Sequence, residues 1–119
     1  MKIGLFTEAY FPIISGVSVS VRILKNELTR LGHEVVVVTL THPNSSEEEG
    51  VYRFKGKALP MKGMGEYSIA RVSKSKVQTM VDMKFDIVHC HTEFTMGRLG
   101  RKVAKACNIP VVHTYHTMY

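Results

Sequence analysis

The chain has 119 residues, a length that excludes two ordinary domains. Of these residues 45% are hydrophobic and 22% charged, a balance that excludes a disordered chain. Its two cysteines exclude a disulfide framework and indicate reduced thiols of a cytosolic protein, and no apolar run approaches the ~20 residues that span a bilayer. The formal net charge of +6 predicts attraction to partners that carry phosphate.

The first half of the chain alternates between strand and helix patterns. Residues 2–7 form a short apolar run, which predicts a buried strand. Residues 34–40 are β-branched and apolar throughout, which predicts a parallel strand covered on both faces. Between them, apolar residues at steps of four, three, four and three predict a helix that is capped by Gly32. These residues are Val17, Val21, Leu24, Leu28 and Leu31.

The second half continues this alternation. Leu99, Val103 and Ala106 mark a helix that ends near Asn108. The other predicted elements are a polar loop over 41–50, a short strand over 51–54, irregular structure over 55–67, a helix around 68–83, a strand over 86–91, and a last strand with its exit loop over 111–116.

Strands that alternate with helices predict an α/β fold. Continuous apolar strands imply βαβ units, and so a Rossmann-like parallel sheet with helices on both faces. No helix follows the last strand to cover it, although both faces of a parallel sheet are normally covered. We therefore expect residues 1–119 to form a single domain of this class that is cut short.

The positive excess falls within residues 53–76. That segment holds seven basic residues and one acid, whereas the rest of the chain holds nine of each and is neutral. The seven are Arg53, Lys55, Lys57, Lys62, Arg71, Lys74 and Lys76. Such a segment either attracts the phosphates of lipid headgroups, nucleic acid or nucleotides, or it is a solvated surface.

The loop over 8–17 leads from the first strand into the first helix. Ligands of doubly wound sheets bind beyond the carboxyl ends of the strands, where residues 90–97 and 114–119 also lie. Free N–H groups at the start of the helix favour an anion, and Gly16 lets the backbone approach a ligand. The loop has one glycine and not the dinucleotide fingerprint, so by itself it fits a structural turn equally well.

Four short motifs follow one another in a specific order. They are P-x-x-x-G-V, L-G-H-E-V-x-V-V-T, D-I-V-H-x-H and I-P-V-V-x-T-x-H. They lie in the stretches KIGLFTEAYFPIISGVSVSVRILKNELTRLGHEVVVVT and FDIVHCHTEFTMGRLGRKVAKACNIPVVHTYHTMY. In order and spacing, over nearly the whole chain, they resemble the N-terminal domain of family 4 glycosyltransferases. Within that family the chain most resembles bacterial 1,2-diacylglycerol glucosyltransferases.

The resemblance implies the GT-B architecture, in which two Rossmann-like domains face each other across a cleft. The first domain carries much of the acceptor site, and a C-terminal domain binds the nucleotide sugar. This chain would hold only part of the first domain and be inactive alone. The whole protein would be a retaining enzyme that transfers a hexose, by resemblance glucose, from a UDP-sugar to a lipid such as diacylglycerol. It would need no metal to bind the donor.

The resemblance also assigns residues to the first loop. Ser15, Gly16 and Val17 fall on the family's glycine loop, near the donor diphosphate. Many members have two adjacent glycines there, and Ser15 replaces the first of them. Many members have an aspartate where this chain has Glu8. We expect Glu8 and Glu93 to contact the acceptor or the sugar, although each can equally be a solvated loop acid.

Four of the six histidines form two pairs, His89 with His91 and His113 with His116, that are open to more than one interpretation. His89 and His91 share a strand face and can chelate a metal, or His89 and His113 can be hydrogen-bonded within or beside the sheet. The second explanation is favoured, and we predict no metal site. His91 and His116 lie at or beyond strand ends, where they can contact the sugar or acceptor. The resemblance gives His116 a positioning and electrostatic role near the transferred sugar.

A lipid acceptor implies that the enzyme docks on an anionic membrane, as a peripheral protein on the inner face of the cell membrane. Residues 68–83 can form an interfacial helix, or a core helix with a basic outer face. The membrane-binding candidates are Arg71, Lys74 and Lys76, beside the apolar Ile69, Val72 and Val77.

A second function is open on the sequence alone. A short domain with a basic segment can be a non-catalytic module that holds anionic phospholipid or nucleic acid. The segment 53–76 contains only two aromatic residues, Phe54 and Tyr67, and Tyr52 directly precedes it. Few bases could therefore stack there, so nucleic acid is the weaker form of this hypothesis.

Overall fold

A computed structural model of the chain describes residues 1–58, 68–69 and 72–116. In chain order its elements are β1 (Lys2–Phe6), α1 (Gly16–Arg30), β2 (Glu34–Leu40), β3 (Val51–Phe54), β4 (Lys57–Ala58), β5 (Ser68–Ile69), α2 (Lys74–Val81), β6 (Ile87–Cys90), α3 (Thr95–Cys107) and β7 (Val111–His113). No helix of these ranges is long and apolar enough to cross a membrane.

The predicted Rossmann-like sheet is confirmed. Within the described ranges, five strands pair in the order β3-β2-β1-β6-β7, and every pairing in this sheet is parallel. The strand order reverses direction between β1 and β6, which is the switch point where such sheets bind ligands. Among the described strands β7 lies at one edge of the sheet, and its Val111 and Val112 are exposed.

Helices cover the two faces of the sheet, as predicted. On one face, Val21 of α1 packs in a cluster with Leu5 and Val37 of the strands. On the other face, Met80 of α2 and Leu99 of α3 belong to a second cluster. Val37 belongs to the first cluster and its neighbour Val38 to the second, because successive side chains of a strand point to opposite faces.

The helix expected around 68–83 is wrong in its first part. Residues 68–69 form β5, which pairs antiparallel with β4, and the helix begins only at Lys74. The side chain of Ser73 accepts a hydrogen bond from the N–H of Lys76 at 3.3 Å, so Ser73 is the N-terminal cap. The two-residue strands β4 and β5 were not predicted, because two residues carry no alternation to detect.

Two of the residues assigned to helix stripes face solvent. Leu31 is 62% exposed, because α1 ends at Arg30 and Gly32 adopts φ +95° at the following turn. The N–H of His33 donates to the Leu28 carbonyl at 3.1 Å and closes the helix. On α3, Ala104 and not Ala106 is buried beside Val103.

Candidate functional site

The carboxyl ends of β1, β6 and β7 lie side by side. Phe6 lies opposite Cys90, and Cys90 lies opposite His113. The N–H of Thr114 donates to the Cys90 carbonyl at 3.0 Å, so the pairing continues past the last strand. The loops predicted to meet at one sheet edge therefore do so in the described residues; they cover 7–15, 91–94 and 114–116.

Glu8 opens the first of these loops and is only 4% exposed. Its Oε1 accepts a hydrogen bond from the N–H of Met96, and its own N–H donates to Thr92 Oγ1 at 3.3 Å. Phe94, the residue before α3, makes no side-chain cap. Glu8 therefore caps α3 from a different element, and the alternative of a solvated loop acid is wrong for this residue.

The second carboxylate oxygen of Glu8 is unpaired. Oε2 is buried and has no hydrogen-bond partner among the described residues. Burial raises the pKa of Glu8 from 4.5 to about 7, and the hydrogen bonds from Met96 and Thr92 partly oppose that rise. Near neutral pH the carboxyl group can therefore either donate or accept a further hydrogen bond.

His91 is the second buried polar group of this edge, and it contacts His116. The Nδ1 of His91 and the Nε2 of His116 are 3.0 Å apart, and the two rings stack with centroids 5.3 Å apart. Burial, reinforced by the neighbouring histidines, lowers the pKa of His91 to about 3, so its ring is neutral. The Nε2 of His91 is buried without a partner in the part of the chain that the structure describes.

His89 and His113 are hydrogen-bonded beside the sheet, which confirms the explanation that we favoured. The Nε2 of His89 lies 2.6 Å from Thr114 Oγ1, and burial lowers the pKa of His89. The Nε2 of His113 lies 3.2 Å from a terminal nitrogen of Arg101. Across the described residues, no group of three His, Cys, Asp or Glu side chains is arranged to hold a metal ion.

The predicted diphosphate loop is the N-terminal cap of α1. The hydroxyl of Ser15 accepts from the N–H of Ser18 at 3.2 Å, and the Ser18 hydroxyl accepts from the N–H of Ser15 at 2.8 Å. A Cβ built on Gly16 would meet no atom of the described residues within 4 Å, apart from its chain neighbours and its own helix, so the helix begins at an open surface. Gly16 and Val17 are the first two helical residues, whose N–H groups have no acceptor within the helix.

Sequence reasoning missed a set of contacts that fixes the shape of the first loop. We name it the Tyr10 cluster: Tyr10, Phe11, Arg22, Glu48 and Arg53. The hydroxyl of the buried Tyr10 donates to Glu48 Oε2 at 2.9 Å. Arg22 pairs with Glu48 Oε1 at 3.0 Å, and its guanidinium lies 3.5 Å from the centroid of the Phe11 ring.

Arg53 completes the Tyr10 cluster from β3. It donates to the carbonyl of Phe11 at 2.6 Å and to the carbonyl of Leu40 at 2.9 Å, and burial lowers its pKa. Arg53 therefore holds the first loop and is not part of an open basic surface. The sequence signal was present, in an acid-rich loop and two arginines, but nothing in their spacing identifies the partners.

The remaining predicted site residues are dispersed. Glu93 is exposed in the loop after β6, at the same edge as Glu8. Lys74 is exposed at the start of α2, and the Nζ of Lys76 lies 5.9 Å from the centroid of the Phe54 ring. Arg71 lies outside the described residues, so its predicted role is not addressed by the structure.

Of the two possibilities for residues 68–83, an interfacial helix or a core helix, the described apolar residues fit the core helix. Val72 and Val77 pack against the core cluster beneath the sheet, and Met80 is fully buried. α2 is therefore a core helix with a polar outer face. Ile69 belongs to β5 and not to a helix.

The arrangement at the sheet edge suits hydroxyl-rich ligands. Buried polar groups in proteins are nearly always hydrogen-bonded, and the unpaired Glu8 Oε2 and His91 Nε2 can each bond to a water molecule or to a ligand. A neutral imidazole and a carboxyl group with a pKa of about 7 can both donate and accept hydrogen bonds. His116, in contact with His91, is only partly buried and lies at the rim.

Comparisons with known proteins identify the family of the chain and several relatives. A family model described as Glycosyltransferase Family 4 matches residues 14–119. The chain is 46% identical over 121 residues to alpha-monoglucosyldiacylglycerol synthase of Acholeplasma laidlawii, an alignment that covers 100% of this chain and 30% of the relative. It is 39% identical over 120 residues to the enzyme of the same name from Streptococcus pneumoniae (strain ATCC BAA-255 / R6), covering 100% of this chain and 27% of the relative.

A third relative is more distant. The chain is 29% identical over 122 residues to an uncharacterized glycosyltransferase of Methanocaldococcus jannaschii, with 98% of this chain and 31% of the relative covered. The chain thus spans less than a third of the length of each of these three relatives.

Proposed function

The chain belongs to glycosyltransferase family 4, and from this membership we propose that it is the acceptor-side part of an enzyme that transfers glucose to diacylglycerol. Its parallel sheet with helices is the N-terminal domain of the GT-B fold of that family. Two relatives that align with the entire chain carry the name alpha-monoglucosyldiacylglycerol synthase, which supports this acceptor and this sugar. The family match favours a transferase over a non-catalytic binding module.

One observation carries the assignment of the site. The edge of the sheet at the switch point holds two buried polar atoms, Glu8 Oε2 and His91 Nε2, that have no partner among the described residues. We propose that hydroxyl groups of the sugar or the acceptor complete them, with His116 and Glu93 at the rim. A UDP-sugar is the proposed donor, and its diphosphate would lie at the first turn of α1, over residues 15–17.

In the proposed reaction the anomeric carbon loses its bond to the diphosphate oxygen and gains a bond to the acceptor hydroxyl oxygen. The hydroxyl proton passes to the departing diphosphate, and the configuration at the anomeric carbon is retained. His116 is the proposed catalytic residue, because its imidazole can donate a hydrogen bond to the sugar or to the charge that develops. His91 orients that ring through the 3.0 Å contact. No metal is proposed for donor binding.

The experiment measures UDP release from UDP-glucose by the complete polypeptide that contains these residues. Diacylglycerol is supplied in vesicles that contain anionic phospholipid. We expect lipid-dependent release, and we expect His116→Ala to lower kcat by roughly 100-fold, the usual effect of removing a donor to developing charge.

His33→Ala is the matched control. His33 directly precedes β2, at the end of the sheet opposite the proposed site, and its Nδ1 lies 3.2 Å from the nitrogen of Met1. This variant should leave UDP release unchanged. UDP release that does not depend on lipid, or equal losses in the two histidine variants, would contradict the proposal.

A further inference from the structure

His91 contacts two other histidines at the sheet edge. The centroid of its ring lies 4.0 Å from that of His89 and 5.3 Å from that of His116, and the ring planes differ by 31° and 29°. His89 and His91 point to the same side because one residue separates them, and that residue, Cys90, packs on the opposite side in the cluster that contains α3. We name this group of three rings the histidine stack: His89, His91 and His116.

Thr114 joins the histidine stack to the loop that follows β7. Its hydroxyl oxygen lies 2.6 Å from the Nε2 of His89, and its N–H donates to the carbonyl of Cys90 at 3.0 Å. Both partners belong to β6, and Thr114 stands two residues before His116 in the same loop. The position of His116 is therefore set in two ways, along the chain by Thr114 and across the 3.0 Å contact by His91.

The contact between His91 and His116 couples the positions of their protons. A neutral imidazole carries one N–H, and burial keeps the ring of His91 neutral. If the proton of His91 is on Nδ1, it donates to Nε2 of His116, and a neutral His116 then carries its own proton on Nδ1. If the proton of His91 is on Nε2, a neutral His116 must donate from Nε2, and its Nδ1 is an acceptor without a proton.

Only the first arrangement supplies the N–H that the proposed role of His116 requires. It also leaves the buried Nε2 of His91 as an acceptor for a hydroxyl group of the ligand or for a water molecule. We propose, on the basis of the proposed function, that His89 and Thr114 are positioning residues of the transfer reaction. They hold the loop after β7 so that His91 donates from Nδ1 to His116, whose Nδ1–H is then free to reach the substrate.

The kinetic test removes one hydroxyl group and leaves the strand pairing in place. Thr114→Val deletes the hydroxyl that contacts His89 but keeps the N–H that bonds to Cys90. In the complete polypeptide we expect kcat for glucose transfer to diacylglycerol to fall roughly 10-fold, the equivalent of one hydrogen bond, and KM for UDP-glucose to stay within about twofold. Thr114→Ser retains the hydroxyl and should recover most of the rate.

Thr79→Val is the matched control. The hydroxyl of Thr79 donates to the carbonyl of Ser75 at 2.9 Å within α2, which is not part of the sheet edge, so this variant should change neither kcat nor KM. Thermal unfolding confirms that each variant is folded. An unchanged kcat in Thr114→Val, or equal losses in Thr114→Val and Thr114→Ser, would overturn the proposal.

His89→Phe tests the other partner of the same contact. A phenylalanine ring can still stack on His91 but has no nitrogen to meet the hydroxyl of Thr114. We expect a loss of kcat similar to that of Thr114→Val, and the double variant should lose little more, because both changes remove one contact. Losses that multiply in the double variant would count against the proposal.

Nitrogen NMR of the imidazole rings measures the tautomer directly, in the complete polypeptide labelled at histidine, without substrate and at pH 8. His116→Ala identifies the signals of His116. We expect the proton of His116 on Nδ1 in the unaltered polypeptide and a mixture of the two tautomers in Thr114→Val. A proton on Nε2 of His116 in the unaltered polypeptide would refute the inferred arrangement.

The NMR measurement needs no transfer activity, so it separates this inference from the proposed function. If the unaltered polypeptide releases no UDP with any lipid, the proposed function fails, and the tautomer of His116 still decides whether the histidine stack is aligned as inferred.

Discussion

At the scale of single residues, Glu8 combines a structural and a chemical role. One carboxylate oxygen caps α3 through Met96, and the other is buried without a partner among the described residues. Burial favours the neutral acid, so folding takes up a proton on Glu8 at pH values where the unfolded chain has already lost it. The residue is therefore a source of instability that grows as pH rises.

We predict that Glu8→Gln stabilises the protein at alkaline pH and not at acid pH. The folded-state pKa of about 7 lies above the reference value of 4.5, so Glu8 lowers the free energy of unfolding progressively between these two pH values. At pH 8 the variant should be more stable by on the order of 3 kcal/mol, because each pKa unit corresponds to ~1.4 kcal/mol. Urea unfolding from pH 4 to pH 8 measures the difference.

The comparison of variant and parent removes contributions that both share, including the buried neutral His91, which destabilises both at acid pH. Glu93→Gln is the control, since Glu93 is an exposed acid of the same sheet edge. A stability difference between Glu8→Gln and the parent that stays constant across the pH range would refute the assignment.

At the scale of elements, a glycine of α3 is tightly surrounded, whereas a glycine of α1 has open space around it. A Cβ on Gly100 would lie 2.6 Å from Cys90 Sγ and 3.1 Å from Phe6 Cγ, both fully buried, so α3 packs directly on the sheet. A Cβ on Gly16 would meet no described atom within 4 Å. Packing therefore requires the first glycine and not the second.

We predict that Gly100→Ala lowers the free energy of unfolding by ~1–3 kcal/mol, the usual cost of overpacking a core. Gly16→Ala should raise it by ~0.5–1 kcal/mol, because alanine favours helix and its side chain has room. Denaturant midpoints at constant slope measure both changes. Equal effects of the two substitutions would show that α3 can move away from the sheet.

Gly16→Ala also tests the proposed diphosphate site. If the donor diphosphate approaches the first turn of α1, a methyl group there displaces it, and we expect KM for the nucleotide sugar to rise ~10-fold or more in a protein that is no less stable. Ile14→Ala, which changes an exposed side chain beside the same cap, is the control. An unchanged KM for Gly16→Ala would remove the diphosphate from this turn.

At the scale of the whole molecule, contacts between distant segments give the sheet edge its shape. The Tyr10 cluster joins the first loop to Glu48, 38 residues away, and to Arg53, 42 residues from its partner Phe11. The acid-rich loop and β3 thus hold the loop that contains the proposed acceptor contact. Charge is arranged on the same scale, because the ion pairs of α1 lie on one face of the sheet and exposed basic side chains of α3, such as Arg98 and Lys102, lie on the other.

We predict that Glu48→Ala lowers the free energy of unfolding by ~1–3 kcal/mol, because it leaves the hydroxyl group of Tyr10 without an acceptor for its proton and Arg22 without its carboxylate. Glu47→Ala, at the exposed neighbouring position, should change it by less than ~0.5 kcal/mol. Urea unfolding provides the measurement. Adding Tyr10→Phe to Glu48→Ala should then cost less than Tyr10→Phe alone, and additive effects would contradict the contact.

The sequence by itself determined the class of fold, most of the element positions and the sheet edge of the site. Continuous apolar strands, helix stripes and caps are local patterns with the periods of the backbone, and parallel strands necessarily bring their carboxyl ends together. The placement of Glu8, His91 and His116 at one edge followed from that rule alone. The four motifs match the family in order and spacing, and this resemblance added the expectation of glycosyl transfer.

Only the tertiary structure decided which polar groups are buried and with what they pair. Glu8 caps a helix through a residue 88 positions away in the sequence. Arg53 holds a loop and is not part of the predicted basic surface. Four basic side chains of α3 lie together, which the balanced charge count of that part of the sequence does not reveal. Burial and pairing depend on the distance between segments in space, which no local period encodes. The same physics sets the pKa values of Glu8 and His91, because desolvation exists only once the core has closed around them.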